Sequence, residues 1–192
     1  MNRELAVAVA GAPRCVIEGR FERHISAGYR TLNGSDGGGR WGPPGAYSVL
    51  YLGRPRSSVT VEAYRHLVDP FAADGMTGAM VAPRRLIVCD VTVTEVLDLR
   101  TPEGRAAVGL DSQSLESDID DYTPCQTVGQ VAHQLGLHGI IAPAATRLGE
   151  TLALFEQHLP AEELPLLVNN TEIWEGLPAD PRRLRLIADD AG

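Results

Sequence analysis

Cysteine is scarce in this chain of 192 residues. There are three, Cys15, Cys89 and Cys125, with no CxxC pair and an odd count. That excludes a disulfide framework and points to a reducing compartment. Aromatic residues make up only 5% of the chain. Positive charge is also short: 17 Lys and Arg stand against 25 Asp and Glu, a formal net charge of -8. A surface that acidic is repelled by a phosphate backbone, so direct nucleic-acid binding is disfavoured. The cluster Arg182, Arg183 and Arg185 then reads as solvated strand ends. No apolar run reaches the length of a membrane span. Leu5 to Ala12 is apolar but short, with only Arg3 before it, so it reads as an ordinary N-terminal segment and not a signal peptide. The expected location is cytoplasmic, where the Asn169-Asn170-Thr171 sequon carries no meaning.

What is present belongs to a globular protein. Hydrophobic residues make up 44% and charged residues 22%, and the length suits one domain with a core large enough to be stable alone. Residues 1–19 read as an N-terminal extension and Phe21 to Ile25 as a short strand. Glycines and prolines crowd residues 33–45, which marks a loop. Val49 to Leu52 reads as a strand. A core-facing helix over Val59 to Val68 follows, with Ser58 as N-cap and Glu62 in the first turn. Arg85 to Val93 alternates as a strand. Thr101-Pro102 opens a short helix, and Asp111 to Asp121 is acidic and exposed. A helix runs from Cys125 to Leu135 and is ended by Gly136. Gly139 to Ala142 and Thr151 to Phe155 read as paired strands, Glu172 to Trp174 and Leu184 to Ile187 as late ones. Strand runs mixed with single helices, without a regular βαβ beat, give an α+β class.

Several chemistries fail on spacing. His24, His66, His133, His138 and His158 are scattered, and His133 and His138 are five apart, off one helical face, so no metal site is expected. Cys125 at a helix start has no evident partner base and reads as a small buried thiol. The glycine run lacks the Lys-Ser/Thr of a phosphate loop and precedes a strand. Arg40, Tyr51 and Glu62 are different. They stand eleven residues apart in succession, on a glycine loop, a strand and a helix. A guanidinium fork grips phosphate, an aromatic face stacks on a flat ring, and a carboxylate stabilises a sugar oxocarbenium ion. Each also has a plainer role: an ion pair, a core aromatic, a helix-dipole charge. On spacing alone the plainer roles prevail.

Three ordered blocks shift that balance: Gly38-Gly-Arg-Trp-Gly-Pro-Pro-Gly45, Val49-Leu-Tyr-Leu-Gly53 and Val61-Glu-Ala-Tyr-Arg-His66. Together they resemble the RES domain, the toxin of bacterial RES–Xre toxin–antitoxin pairs. The similarity continues through Thr127 to Gly139 and Ala142-Pro-Ala-Ala to Leu152-Ala-Leu-Phe155, covering about residues 20–156. Residues 157–192 then form a C-terminal extension packed on the same domain. The resemblance implies a mixed sheet core with surrounding helices, similar to ADP-ribosyltransferases. It implies breakdown of NAD, by hydrolysis or phosphorolysis, as substrate and without a further cofactor. It assigns catalytic roles to Arg40, Tyr51 and Glu62, and NAD binding to Gly39, Trp41 and an early arginine, Arg23, with Arg30 as the competing alignment. It also implies a small Xre-type helix-turn-helix antitoxin as partner.

The resemblance also places Ala144 in the NAD-binding set, and there the chain departs from the family: after Pro143, Ala144 stands in place of a serine, and Thr146 is the next hydroxyl. Two rival readings follow: a protein ADP-ribosyltransferase using the same residues, or a decayed NAD-binding module.

Overall fold

The computed structural model describes residues 3–116, 122–168 and 172–182. Helix α1 (Arg3–Gly11) leads into the long strand β1 (Arg14–Ser26). The glycine loop follows, then β2 (Leu50–Arg54), α2 (Arg56–Leu67) and β3 (Arg84–Asp98). Short helices α3 (Pro102–Ala107) and α4 (Ser112–Glu116) precede α5 (Thr123–Gln134), β4 (Gly139–Pro143), β5 (Glu150–Leu154), β6 (Leu166–Leu167) and β7 (Glu172–Trp174). This is the expected α+β architecture. The expected strand at Leu184 to Ile187, and part of the acidic run Asp111 to Asp121, fall outside the described residues.

The strands run β1-β2-β5-β4-β3, and β1 also pairs with β3, which closes them into a small barrel. All contacts are antiparallel except β3 with β4. Alternation sorts the side chains. Leu50 and Leu52 of β2, Ile141 of β4, and Leu152 and Leu154 of β5 point inward and meet Ile17 and Phe21 of β1 and Val91 and Val93 of β3. Tyr51, Ile140 and Ala153 point outward, against α1, α5 and the glycine loop, where Trp41, Val128 and Phe155 pack. A third cluster holds Val59 and Ala63 of α2 against Leu86 and Trp174.

Two local expectations change. The strand expected over Phe21 to Ile25 begins at Arg14 and pairs along β3 to Ser26↔Arg84. Its first half was hidden by a register shift at Cys15/Ile17 and by exposed charges between the inward Ile17 and Phe21. Since α1 packs on α5, residues 3–19 share the same sheet and core. Helix α2 starts at Arg56 with Pro55 in the N-cap position and no side-chain cap. Ser58 is therefore inside the helix, buried, with its Oγ 2.9 Å from the Thr146 Oγ1, and Glu62 lies mid-helix. Pro55 cannot donate a backbone hydrogen bond and so fits a helix start where no donor is needed.

The feature that matters most for the site is where β1 and β2 part. They share one paired position, Glu22↔Gly53. Beyond it β1 continues along β3 while β2 continues along β5, which leaves a fork in the barrel wall. Among the described residues, no helix is long and apolar enough to cross a membrane.

Candidate active site

A cavity of about 450 Å³ occupies this fork. Arg23 and His24 of β1 stand on one side and Tyr51 and Leu52 of β2 on the other. Helix α2 contributes Ser58, Glu62, Arg65 and His66, and the glycine loop contributes Gly38, Gly39, Arg40 and Trp41. Four separate elements, β1, the glycine loop, β2 and α2, thus bring Arg23, Arg40, Tyr51 and Glu62 into one space.

The loop is held by its backbone. Trp41 N–H donates to the Tyr51 hydroxyl at 2.8 Å, and the Tyr47 hydroxyl donates to the Trp41 carbonyl at 2.9 Å. Gln126 of α5 donates its side-chain amide to the Gly39 carbonyl at 2.9 Å. These bonds satisfy polar groups that burial would otherwise leave costly. Gly39 is required because a Cβ there would stand 2.7 Å from the Tyr51 hydroxyl. Gly129 is required because a Cβ on that face of α5 would overlap the Trp41 carbonyl. The indole of Trp41 is buried in the core, so only part of the residue reaches the cavity.

The cations are positioned from neighbouring segments. Arg40 donates to the Ser114 carbonyl at 3.1 Å, and its guanidinium lies 4.7 Å from the centre of the Tyr122 ring. Arg23 donates to the Asn33 carbonyl at 2.9 Å. Burial lowers the Arg23 pKa below its ordinary value, with Glu156 opposing that shift and Arg84 adding to it. Burial, then the charges of Arg84, His66 and Arg23, push His24 down to about 3, so its ring is neutral near pH 7. Burial raises the Tyr51 phenol above its ordinary range, which keeps it protonated. A protonated phenol, a desolvated Arg23 and the Arg40 guanidinium favour an anionic ligand.

Glu62 is half-buried on α2, with His66 one turn on at 3.4 Å. Glu22, the other carboxylate of the cavity, is held by Arg56 at 3.1 Å. Tyr122, Arg65, Glu22 and the histidines were not anticipated. His66 was legible in principle, four residues after Glu62 on one helix. His24 was not, because only strand pairing brings it to α2.

Two anticipated residues are not brought together with the rest. Ala144 is buried, 3% exposed, and does not line the cavity, whereas its neighbours Pro143 and Ala145 do. Arg30 is exposed and also stands off the cavity. The Cys125 thiol is fully buried and donates to the Ser114 carbonyl at 3.4 Å, as expected of a packing thiol.

The family model described as RES domain matches residues 14–175. The chain belongs to the RES domain family. This RES domain is 36% identical over 129 residues, 67% of each chain, to the NAD(+) phosphorylase MbcT of Mycobacterium tuberculosis. It has the same likeness to the protein of that name from Mycobacterium bovis. The crystal structure of the M. tuberculosis MbcT–MbcA toxin–antitoxin complex matches the RES domain fold with a TM-score of 0.77 and 30% identity, covering 96% of this chain and 98% of that one.

Proposed function

We propose that this RES domain is the toxin of a toxin–antitoxin pair and degrades NAD in the cytoplasm. It cleaves the nicotinamide–ribose bond and passes the ADP-ribosyl group to inorganic phosphate. The observation that carries this is the meeting of Arg23, Arg40, Tyr51 and Glu62 in one cavity, in a chain similar to an NAD(+) phosphorylase.

The roles follow from the chemistry. Arg23 and Arg40 hold the pyrophosphate, with planar forks matched to its oxygens. Tyr51 bounds the nicotinamide side, and its neutral phenol puts no charge against the ring. As the bond breaks, its electron pair leaves with nicotinamide, whose ring nitrogen goes from cationic to neutral. The leaving group therefore needs no proton. Positive charge grows on the ribose, and the Glu62 carboxylate stabilises it. A phosphate oxygen then bonds to the anomeric carbon.

Loss of NAD halts growth, so the cell needs a neutraliser. A small Xre-type helix-turn-helix antitoxin fits that need, and the acidic charge of this chain, -8, leaves DNA contact to the partner. The test is incubation of pure protein with NAD, with and without inorganic phosphate, and mass spectrometry of the products. Phosphorylated ADP-ribose is expected. Modified protein would favour an ADP-ribosyltransferase, and intact NAD would overturn the reading.

A further inference from the structure

Phosphorolysis brings a third anionic group to a ligand that already carries two phosphates, and the cavity holds a third arginine. Arg65 lines it from α2, one helical turn beyond Glu62. Residues three apart on a helix share a face, so Arg65 and Glu62 look onto the same region. The Arg65 Nη1 donates to the Ala145 carbonyl at 2.8 Å, which fixes the plane of the fork against the turn joining β4 and β5. Ser58, two turns back on α2, lines the same wall, with its hydroxyl paired to Thr146 in that turn.

The arrangement answers an electrostatic difficulty. An attacking phosphate must approach the anomeric carbon close to Glu62, and two negative charges repel there. Glu22 adds no comparable repulsion, since Arg56 holds it. Arg23 and Arg40 stand on other elements, β1 and the glycine loop. On the helix face of Glu62, His66 pairs with the carboxylate itself, and Arg65 supplies the guanidinium fork.

We propose that Arg65, assisted by the Ser58 hydroxyl, forms the subsite for the attacking inorganic phosphate. This rests on the phosphorylase reading above. In the step, a phosphate oxygen lone pair forms the bond to the anomeric carbon. The carbon–nitrogen pair departs with neutral nicotinamide, and ADP-ribose 1-phosphate remains. Arg65 binds the nucleophile and orients it away from Glu62.

The experiment uses the full chain with R65Q and R65K, with inorganic phosphate varied at saturating NAD and NAD varied at saturating phosphate, and with product analysis and melting temperature for each variant. R65Q is expected to raise the KM for phosphate at least about tenfold, the loss of a charged hydrogen-bond partner, while the KM for NAD moves less than about twofold. Products should shift from ADP-ribose 1-phosphate toward free ADP-ribose. R65K keeps the charge and should fall between R65Q and the parent. An unchanged phosphate KM in a folded R65Q protein overturns the subsite. So does a parallel rise in both KM values with lower melting, which marks Arg65 as a pin for the β4–β5 turn. If R65Q fails to fold, R65K decides by the same comparison. A parent protein that cleaves no NAD, or cleaves it equally well without phosphate, overturns the phosphorylase reading instead.

Discussion

The Tyr51 hydroxyl accepts the backbone N–H of Trp41 at 2.8 Å. An outward residue of β2 thereby sets the path of the glycine loop that carries Arg40. Gly39→Ala should break this relationship, because its Cβ would stand 2.7 Å from the same hydroxyl. Overpacking of this kind costs about 1–3 kcal/mol. The expected result is a lower melting temperature together with a raised KM for NAD; an unchanged KM would separate the loop from binding.

Glu62→Gln keeps size and helix propensity but removes the negative charge. Its side chain is partly exposed to the cavity, so the fold should be retained. Turnover should drop by about 10²–10³-fold, the range for losing one group that stabilises transition-state charge. Near-normal turnover in a folded protein would sink its catalytic role.

Arg40→Lys is not conservative here. Lysine loses both the fork and the planar stacking on Tyr122, 4.7 Å from the guanidinium,. Steady-state kinetics should give a KM for NAD raised by about tenfold with a smaller change in turnover. Unchanged kinetics would make Arg40 a structural residue.

Ala144→Ser tests the departure from the family pattern. The position is buried, 3% exposed, and off the cavity. A hydroxyl without a partner there costs about 1–3 kcal/mol. Lower melting with flat NAD turnover is expected, and improved turnover would put this residue within reach of the ligand.

His24 gives the fold an acid sensitivity. Its pKa falls from 6.5 to about 3, mainly through burial and then through Arg84, His66 and Arg23. Below about pH 6.5 the unfolded chain takes up a proton that the folded chain refuses, so stability declines as pH falls toward 3 and is fully present above 6.5. Between pH 7 and pH 5 this group should account for a loss of roughly 2 kcal/mol. Urea unfolding at the two values should give a smaller difference for His24→Gln than for the parent; equal differences would assign the acid sensitivity elsewhere.

The parts of the site that could be read from the sequence lie in short contiguous blocks. The glycine loop, Tyr51 on its strand and Glu62 on its helix each announce a local structure, and their order suffices to suggest a meeting. What escaped depends on long-range pairing. Ser58 looked like a helix cap because serine favours that position, but its hydroxyl turns to Thr146, 88 residues away. The first half of β1 was hidden because its pattern is broken by a register shift and by Gly19 at φ +116°. His24 reaches α2 only because β1 leaves β2 after one shared position. Ala144 follows a strand that points at the cavity, yet the turn after Pro143 takes its side chain inward.

The fork between β1 and β2 has a mechanical consequence. With only Glu22 and Gly53 paired across it, its two walls are coupled by side chains and by the glycine loop, not by a continuous ladder. Few backbone hydrogen bonds therefore join the Arg23 side of the cavity to the Tyr51 side, whereas β3 pairs along β1 from Arg14 to Ser26 and also with β4. The cavity is thus walled by two strands that lean on different neighbours, β1 on β3 and β2 on β5, and the span between them is bridged by side chains and by the glycine loop.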